Sequence, residues 1–258
     1  MSSTAKRRDH AQSNALRAVF ALIVPPLLAL LLSFLAAGMG GLALDGQAQT
    51  AFVMTVVAVT SLLLGLRWYG LVGMGFRGGR ALTAGIGFAA LIWIVFLALR
   101  FIFVAISPAA LESRPPHAGR TFMYLLLFEA LATQIWTYGL VFRAVSDWRG
   151  PLTGAIVSGI SFGLVGILLF QESMANTVSS AIYFVTWGIV YGIIRLRTGS
   201  IGGTVVGQAA QTFTSWVVLT PYPDPNIGQL NNLYLAATVA YMIIAWRLWP
   251  KQKSDYRV

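Results

Sequence analysis

Apolar residues run along this chain in eight blocks, bounded as 16–37, 50–68, 81–106, 121–142, 151–170, 175–194, 200–220 and 233–249. Each is close to the roughly 20 residues that an α-helix needs to cross the hydrocarbon core of a bilayer. Charges or turn residues separate them. Gly40-Gly41 with Asp45 follows the first block, and Arg77-Gly78-Gly79-Arg80 precedes the third. Pro115-Pro116 precedes the fourth and Gly150-Pro151 the fifth, while Pro221-Tyr222-Pro223-Asp224-Pro225 follows the seventh. The third block is long enough to tilt or to project from the membrane. The pattern predicts an all-α polytopic membrane bundle of about eight helices.

Composition agrees. Of the 258 residues, 57% are hydrophobic and only 10% are charged, against about 25% charged in a soluble domain. Lipid must therefore act as solvent for much of the surface, and only helices satisfy their backbone within such short segments. Cysteine is absent, which excludes disulfides, thiolate catalysis and cysteine metal sites. The two histidines, His10 and His117, lie outside the apolar blocks.

The formal charge of +10 would suggest nucleic acid in a soluble protein. Here the basic residues punctuate apolar blocks, so they read as topology. With the N-terminus inside, 15 of the 18 Lys and Arg fall on the inner side. Arg114 and Arg120 fall outside, and Arg100 lies within the third block. Asp45, Glu112, Glu172 and Asp224 also fall outside. This is the positive-inside pattern, with both ends inside. Trp68, Tyr69, Trp246 and Trp249 are expected in an inner aromatic belt, and Tyr124, Tyr222 and Tyr234 in an outer one.

Lys6-Arg7-Arg8 before an apolar block imitates a signal peptide, but the block is too long and Ala36-Ala37 makes a poor cleavage site. A retained helix is expected, kinked at Pro25-Pro26. The organisation expected is a mobile N-terminal tail over 1–15, framing helices over 16–120, a core over 121–220, and a last helix with a basic mobile tail over 221–258. The setting expected is an integral, multi-pass protein of a bacterial cytoplasmic membrane.

Ionisable residues inside a span are costly and tend to be functional. Two qualify, Arg100 and Glu129. They stand at similar depths on consecutive antiparallel helices, so they are expected to pair; the alternative is an Arg100 that snorkels outward. The fourth block also carries Thr133, Gln134, Thr137 and Tyr138, in which 129, 133 and 137 share a face at helical spacing. The seventh carries Thr204, Gln208, Gln211, Thr212 and Ser215. The fifth carries Ser158, Ser161 and four glycines from Gly154 to Gly166. Such residues serve helix packing as readily as a ligand site.

Within these blocks lie three short motifs. Tyr138-Gly139-Leu140-Val141-Phe142-Arg143 ends the fourth block, and Phe162-Gly163-Leu164-Val165-Gly166 sits in the fifth. Leu196-Arg197-Thr198-Gly199-Ser200 forms a basic turn, followed by Gln208-Ala209-Ala210-Gln211-Thr212. From about 121 to 220 their order resembles the CAAX-protease and bacteriocin-processing (CPBP, or Abi) family of intramembrane proteases. That family's motifs are Glu-Glu-x-x-x-Arg, Phe-x-x-x-His and His-x-x-x-Asn. Phe142, Arg143 and Phe162 match. Tyr138 and Gly139 stand in place of the glutamates, Gly166 and Gln208 in place of the histidines, and Thr212 in place of the asparagine.

The resemblance implies a four-helix core and a family reaction in which a glutamate activates water, with histidines and an asparagine stabilising the oxyanion or holding a metal. General-base catalysis needs a titratable group within reach of the water, and these positions provide none. Glu129 precedes Tyr138 by about 13 Å of helix. A zinc site lacks its histidines, and imidazole ligation of haem or chlorophyll is likewise not expected. The expected protein is therefore a pseudoprotease without cofactor. Arg143 would cap a helix C-terminus or simply mark the inner boundary.

Three functions follow from this reading. One is a scaffold or accessory subunit that grips other integral membrane proteins in a respiratory, photosynthetic or enzyme complex, with Gly159 and Gly163 offering a docking face. A second is an active endopeptidase with a site rebuilt around Glu129 and the glutamines. A third is a transporter of small molecules or lipid, for which the repeats typical of such folds are missing.

Overall fold

The structure, a computed structural model, describes residues 3–38, 46–105, 110–111, 117–169, 177–219, 221–222 and 227–257. The turns Gly40-Gly41, Pro115-Pro116 and Pro223–Pro225 lie outside the described residues, as do Asp45, Glu112, Arg114, Glu172 and Asp224. So do the side chains of Lys6, Arg7, Arg8, His10, Ser215, Tyr222 and Lys253.

The chain forms α1 (Ser3–Gly38), α2 (Gly46–Gly73), α3 (Arg80–Ala105), α4 (Ala118–Arg149), α5 (Pro151–Leu169) and α6 (Val178–Thr198). Next comes α7, an α-helical stretch Gly202–Thr212 that continues as π-helix through Phe213–Val218, and then α8 (Ile227–Leu248). Among the described residues, 7 helices are long and apolar enough to cross a membrane. The eighth, α7, is shorter. Two-residue strands β1 (Ala110–Leu111) and β2 (Pro221–Tyr222) pair antiparallel and tie the segments after α3 and α7.

Local chemistry places several helix ends. Gly150 adopts φ 96° and hands over to Pro151, where proline's fixed φ suits a first helical turn. Thr177 and Ser180 form a reciprocal capping box at the start of α6. Gly199, at φ 74°, ends that helix and donates its N–H to the Arg195 carbonyl.

The helices differ in burial. In α1, α2 and α3 22% of the most apolar stretch is enclosed by protein, against 72% in α4 and 61% in α6. Every residue from Ala132 to Phe142 is buried, and so is every residue from Val190 to Leu196. Thus α4 and the inner half of α6 form the axis, and α1–α3 frame it with one face towards lipid. Glycines set the closest approaches. A Cβ on Gly159 would meet the Ile189 backbone nitrogen at 2.6 Å, and one on Gly163 would meet the Val185 backbone. The face expected to receive a partner helix is therefore consumed by α6 of the same chain.

One end of the bundle gathers the basic termini. Asn14 donates to the Asp147 carbonyl, Arg77 to the Arg257 carbonyl and Arg197 to the Leu248 carbonyl. The expected orientation makes this the inner face.

Other expectations are corrected. The N-terminal tail is helical from Ser3. The C-terminal tail is docked, with Arg257 N–H donating to the Leu196 carbonyl at 2.9 Å. Tyr234 leaves the outer belt: it is 0% exposed and lies 5.2 Å from the Tyr183 ring. Exposed Trp246 and Trp249 do suit the inner belt.

Candidate functional site

The motif positions lie on α4, α5 and α7, around the axis. The first surprise is α4 itself. Leu125–Leu131 and Ile135–Val141 are π-helical, and the Phe142 N–H bonds back five residues to the Thr137 carbonyl. Such wide turns are rare and gather at functional sites. They break the 3.6-residue spacing that would place residues 129, 133 and 137 on one face. Thr133, Gln134, Thr137 and Tyr138 are all buried, because protein surrounds the helix on every side.

Tyr138 is 0% exposed, and its hydroxyl donates to the Gly188 carbonyl at 2.6 Å. Its ring centroid lies 5.9 Å from Phe162 and 6.4 Å from Tyr191. Phe162 also meets Trp187 and Tyr191, at 5.2 and 5.8 Å. A Cβ on Gly166 would strike the Phe184 ring, and one on Gly139 would meet the Met74 side chain at 3.3 Å. The motif segments of α4 and α5 thus meet in an aromatic column. It continues through Trp187, Tyr183 and Tyr241.

Amides line the other flank. Gln134 Nε2 donates to Gln208 Oε1 at 2.9 Å, and the Thr204 hydroxyl sits 2.7 Å from Gln134 Oε1. Gln208 is thus held one turn from Tyr138. Three residues on, Gln211 Nε2 donates to the hydroxyls of Tyr183 and Tyr241, at 2.8 and 2.9 Å, while its Oε1 is buried without a hydrogen-bond partner. Thr212 is buried beside it. Buried amides that satisfy each other fix helix register, because an unpaired one would cost more than the bond gains.

Arg143 does not cap a helix end. The helix runs on to Arg149, and Arg143 pairs with Asp147 at 3.1 Å, one turn on. Its guanidinium also lies 5.9 Å from the Tyr69 ring centroid. Arg100 and Glu129 do not pair: Arg100 donates to the Leu219 carbonyl at 3.0 Å, whereas Glu129 Oε2 is buried without a hydrogen-bond partner. Depth along two helices matched, but α7 carries the residues against both: α3 and the Glu129 turn each pack on it.

One residue of the site escaped sequence reasoning. Arg195 looked like an inner-boundary charge, yet it is 0% exposed. Its Nε donates to the Tyr138 carbonyl at 3.2 Å and its Nη2 to the Gly73 carbonyl at 3.1 Å. The guanidinium carbon lies 4.8 Å from the Phe142 ring centroid. Gly75, at φ 93°, leaves the room: a Cβ there would come within 2.6 Å of Arg195 Nε. The only sequence signal is that Arg195 precedes Arg197 by two residues, which puts them on different sides of a helix.

Among the described residues, no three His, Cys, Asp or Glu side chains cluster in a way that could hold a metal. A helical bundle with apolar flanks and a buried amide-aromatic core defines a multi-pass integral membrane protein. Within it, residues 115–214 match the family model described as Rce1-like: Type II CAAX prenyl endopeptidase Rce1-like. That match begins just before α4 and ends within α7, so this part of the chain is similar to that family, in agreement with the CPBP resemblance. No curated protein and no solved structure matched the chain.

Proposed function

We propose that this protein is a non-catalytic CPBP-like membrane scaffold, an accessory subunit that binds other transmembrane segments. The observation that carries the reading is the side-chain chemistry at the motif positions. Tyr138 spends its hydroxyl on the Gly188 carbonyl, Gly166 is packed against Phe184, and Gln208 is bonded to Gln134. None of these groups titrates near neutral pH, so none can serve as a general base there. The same contacts make a rigid core on which outer helix faces are held in fixed positions. With the Gly159 and Gly163 face already covered, a partner would dock on the lipid-facing sides of α1–α3.

Chemical crosslinking in native membranes, followed by purification in mild detergent, tests this. A defined membrane partner should be recovered at a fixed ratio, and it should be lost when bulky residues are placed on the lipid-facing side of α1. A chain that runs alone under all conditions overturns the proposal.

Glu129 favours a second reading, an active endopeptidase with a rebuilt site. It is the one acidic residue inside the apolar blocks of the sequence, and Oε2 is buried without a hydrogen-bond partner. Cleavage of a prenylated CAAX peptide that vanishes in Glu129→Gln, with unchanged folding, would establish that reading and displace the first.

A further inference from the structure

At the inner face, a cavity of about 200 Å³ opens between the start of α3, the end of α6 and the C-terminal tail. Three arginines, Arg80, Arg197 and Arg257, are among its lining residues. Arg197 is partly engaged, by the Leu248 carbonyl at 3.1 Å and by Asp255 at 3.5 Å. The guanidinium groups of Arg80 and Arg257 make no hydrogen bond or ion pair among the described residues. Asp255, the one acidic residue of the rim, is already occupied: its Oδ2 accepts the N–H groups of Lys251 and Gln252. The pocket therefore keeps an excess of positive charge.

One further feature points to an anion, and a second encloses the pocket. The first two turns of α3, a 26-residue helix, border the cavity through Ala81 and Ala84, and helix N-termini favour negative groups. The tail that closes the pocket is held from three sides. Arg257 N–H donates to Leu196, Arg77 donates to the Arg257 carbonyl, and Arg197 reaches Asp255.

The opposite wall is apolar. Ala84 and Phe88 line the cavity, and Leu91, 48% exposed, follows on the same face of α3. A polar head in the cavity could thus continue into a chain running along α3 into lipid. The volume is below the roughly 300–1,000 Å³ of pockets for drug-sized ligands, so it suits a headgroup rather than a whole lipid. We propose that Arg80, Arg197 and Arg257 form a binding site for the phosphoryl headgroup of an anionic phospholipid of the inner leaflet, completed by the docked C-terminal tail. This stands apart from the scaffold and protease readings: of the motif segments only the basic turn Leu196–Ser200 borders the cavity, and Tyr138, Gly166 and Gln208 take no part.

Native mass spectrometry and thermal unfolding of the purified full chain test it, with phosphatidylglycerol, phosphatidylcholine or inorganic phosphate added. Phosphatidylglycerol should be retained and raise Tm saturably, at concentrations at least tenfold below those needed for phosphatidylcholine. In the double variant Arg80→Gln/Arg257→Gln this preference should fall at least tenfold, with the lipid-free Tm unchanged because both side chains lie at the surface. Arg120→Gln, on the other membrane face, should keep it. Inorganic phosphate should compete only at far higher concentration than the lipid. Equal retention of both lipids, or an unaltered preference in the double variant, overturns the site. Saturation by inorganic phosphate at or below the lipid concentration overturns the lipid as occupant and assigns a soluble phosphate instead.

Discussion

The guanidinium of Arg195 donates to the backbone carbonyl of Tyr138 at 3.2 Å, and so grips the residue that the CPBP resemblance aligns with a motif glutamate. The same side chain reaches the Gly73 carbonyl. One arginine thus joins α6 to α4 and to the end of α2 at the inner side of the core. A lysine has a single point charge and cannot bond both carbonyls while lying over Phe142. Arg195→Lys should cost about 1.5–3 kcal/mol, the scale of hydrogen bonds to charged groups. Arg197→Lys, which is partly exposed, should cost about 1 kcal/mol or less. Thermal unfolding in one detergent, with both variants side by side, checks the difference.

Gln134 and Gln208 should behave as a coupled pair. Removing either amide by Gln→Met strands its partner in a buried setting, at a cost of about 1–3 kcal/mol. The double variant strands neither glutamine, so it should be less destabilised than the sum of the singles by about 0.5–3 kcal/mol. A double-mutant cycle on chemical unfolding decides it, and simple additivity would refute the bond as a locking element.

Gly188→Ala should separate α5 from α6. The new Cβ would strike the Gly159 carbonyl, which is backbone and cannot swing aside. Overpacking of this kind costs about 1–3 kcal/mol or more, and the yield of folded protein should fall. Gly87→Ala is the control. A Cβ there meets nothing within 4 Å, and alanine is the better helix former, so stability should hold or rise slightly.

The docked tail should respond to acid. Backbone N–H groups of Gln252 and Lys251, and to a smaller degree Arg197, hold the Asp255 carboxyl below its ordinary range. A depressed carboxyl stabilises the docked form fully above its unfolded pKa, about 3.9. That contribution disappears as pH falls through the lower, docked value. The tail should therefore stay docked at neutral pH and loosen only in strong acid. Asp255→Asn should loosen it at neutral pH. Protease nicking after Lys251, followed against time, reports the change.

Much of the bundle was legible because bilayer thickness imposes a length on apolar blocks and because arginines at Arg77, Arg80, Arg143 and Arg197 sit between them. The boundary of α3, Arg80–Ala105, nearly coincides with the predicted block. The inside of the core was less legible. Reading α4 at 3.6 residues per turn assumed regular hydrogen bonding, which the π-helical Ile135–Val141 does not have. Pairing Arg100 with Glu129 used depth alone, and depth does not say which helices are neighbours. Arg195 and Tyr234 carry polar groups that usually mark membrane borders, yet packing draws both inward. Residue type told where such side chains commonly go, whereas burial depended on the helices folded around them.

The enclosure of α4 also bears on how the protein is made. A chain threading into the bilayer from its N-terminus delivers α1–α3 first, and these present apolar sides that lipid accepts. The helix that follows carries Thr133, Gln134, Thr137 and Tyr138, and in the finished fold none of the four meets lipid. Their partners arrive later, Gly188 with α6 and Thr204 and Gln208 with α7. Until then α4 is a guest with half a shelter, held against α2 and, through Trp136, against the Ala21 carbonyl of α1. If the helices insert in chain order, the earliest ones would have to shelter the central one until the rest of the chain closes over it.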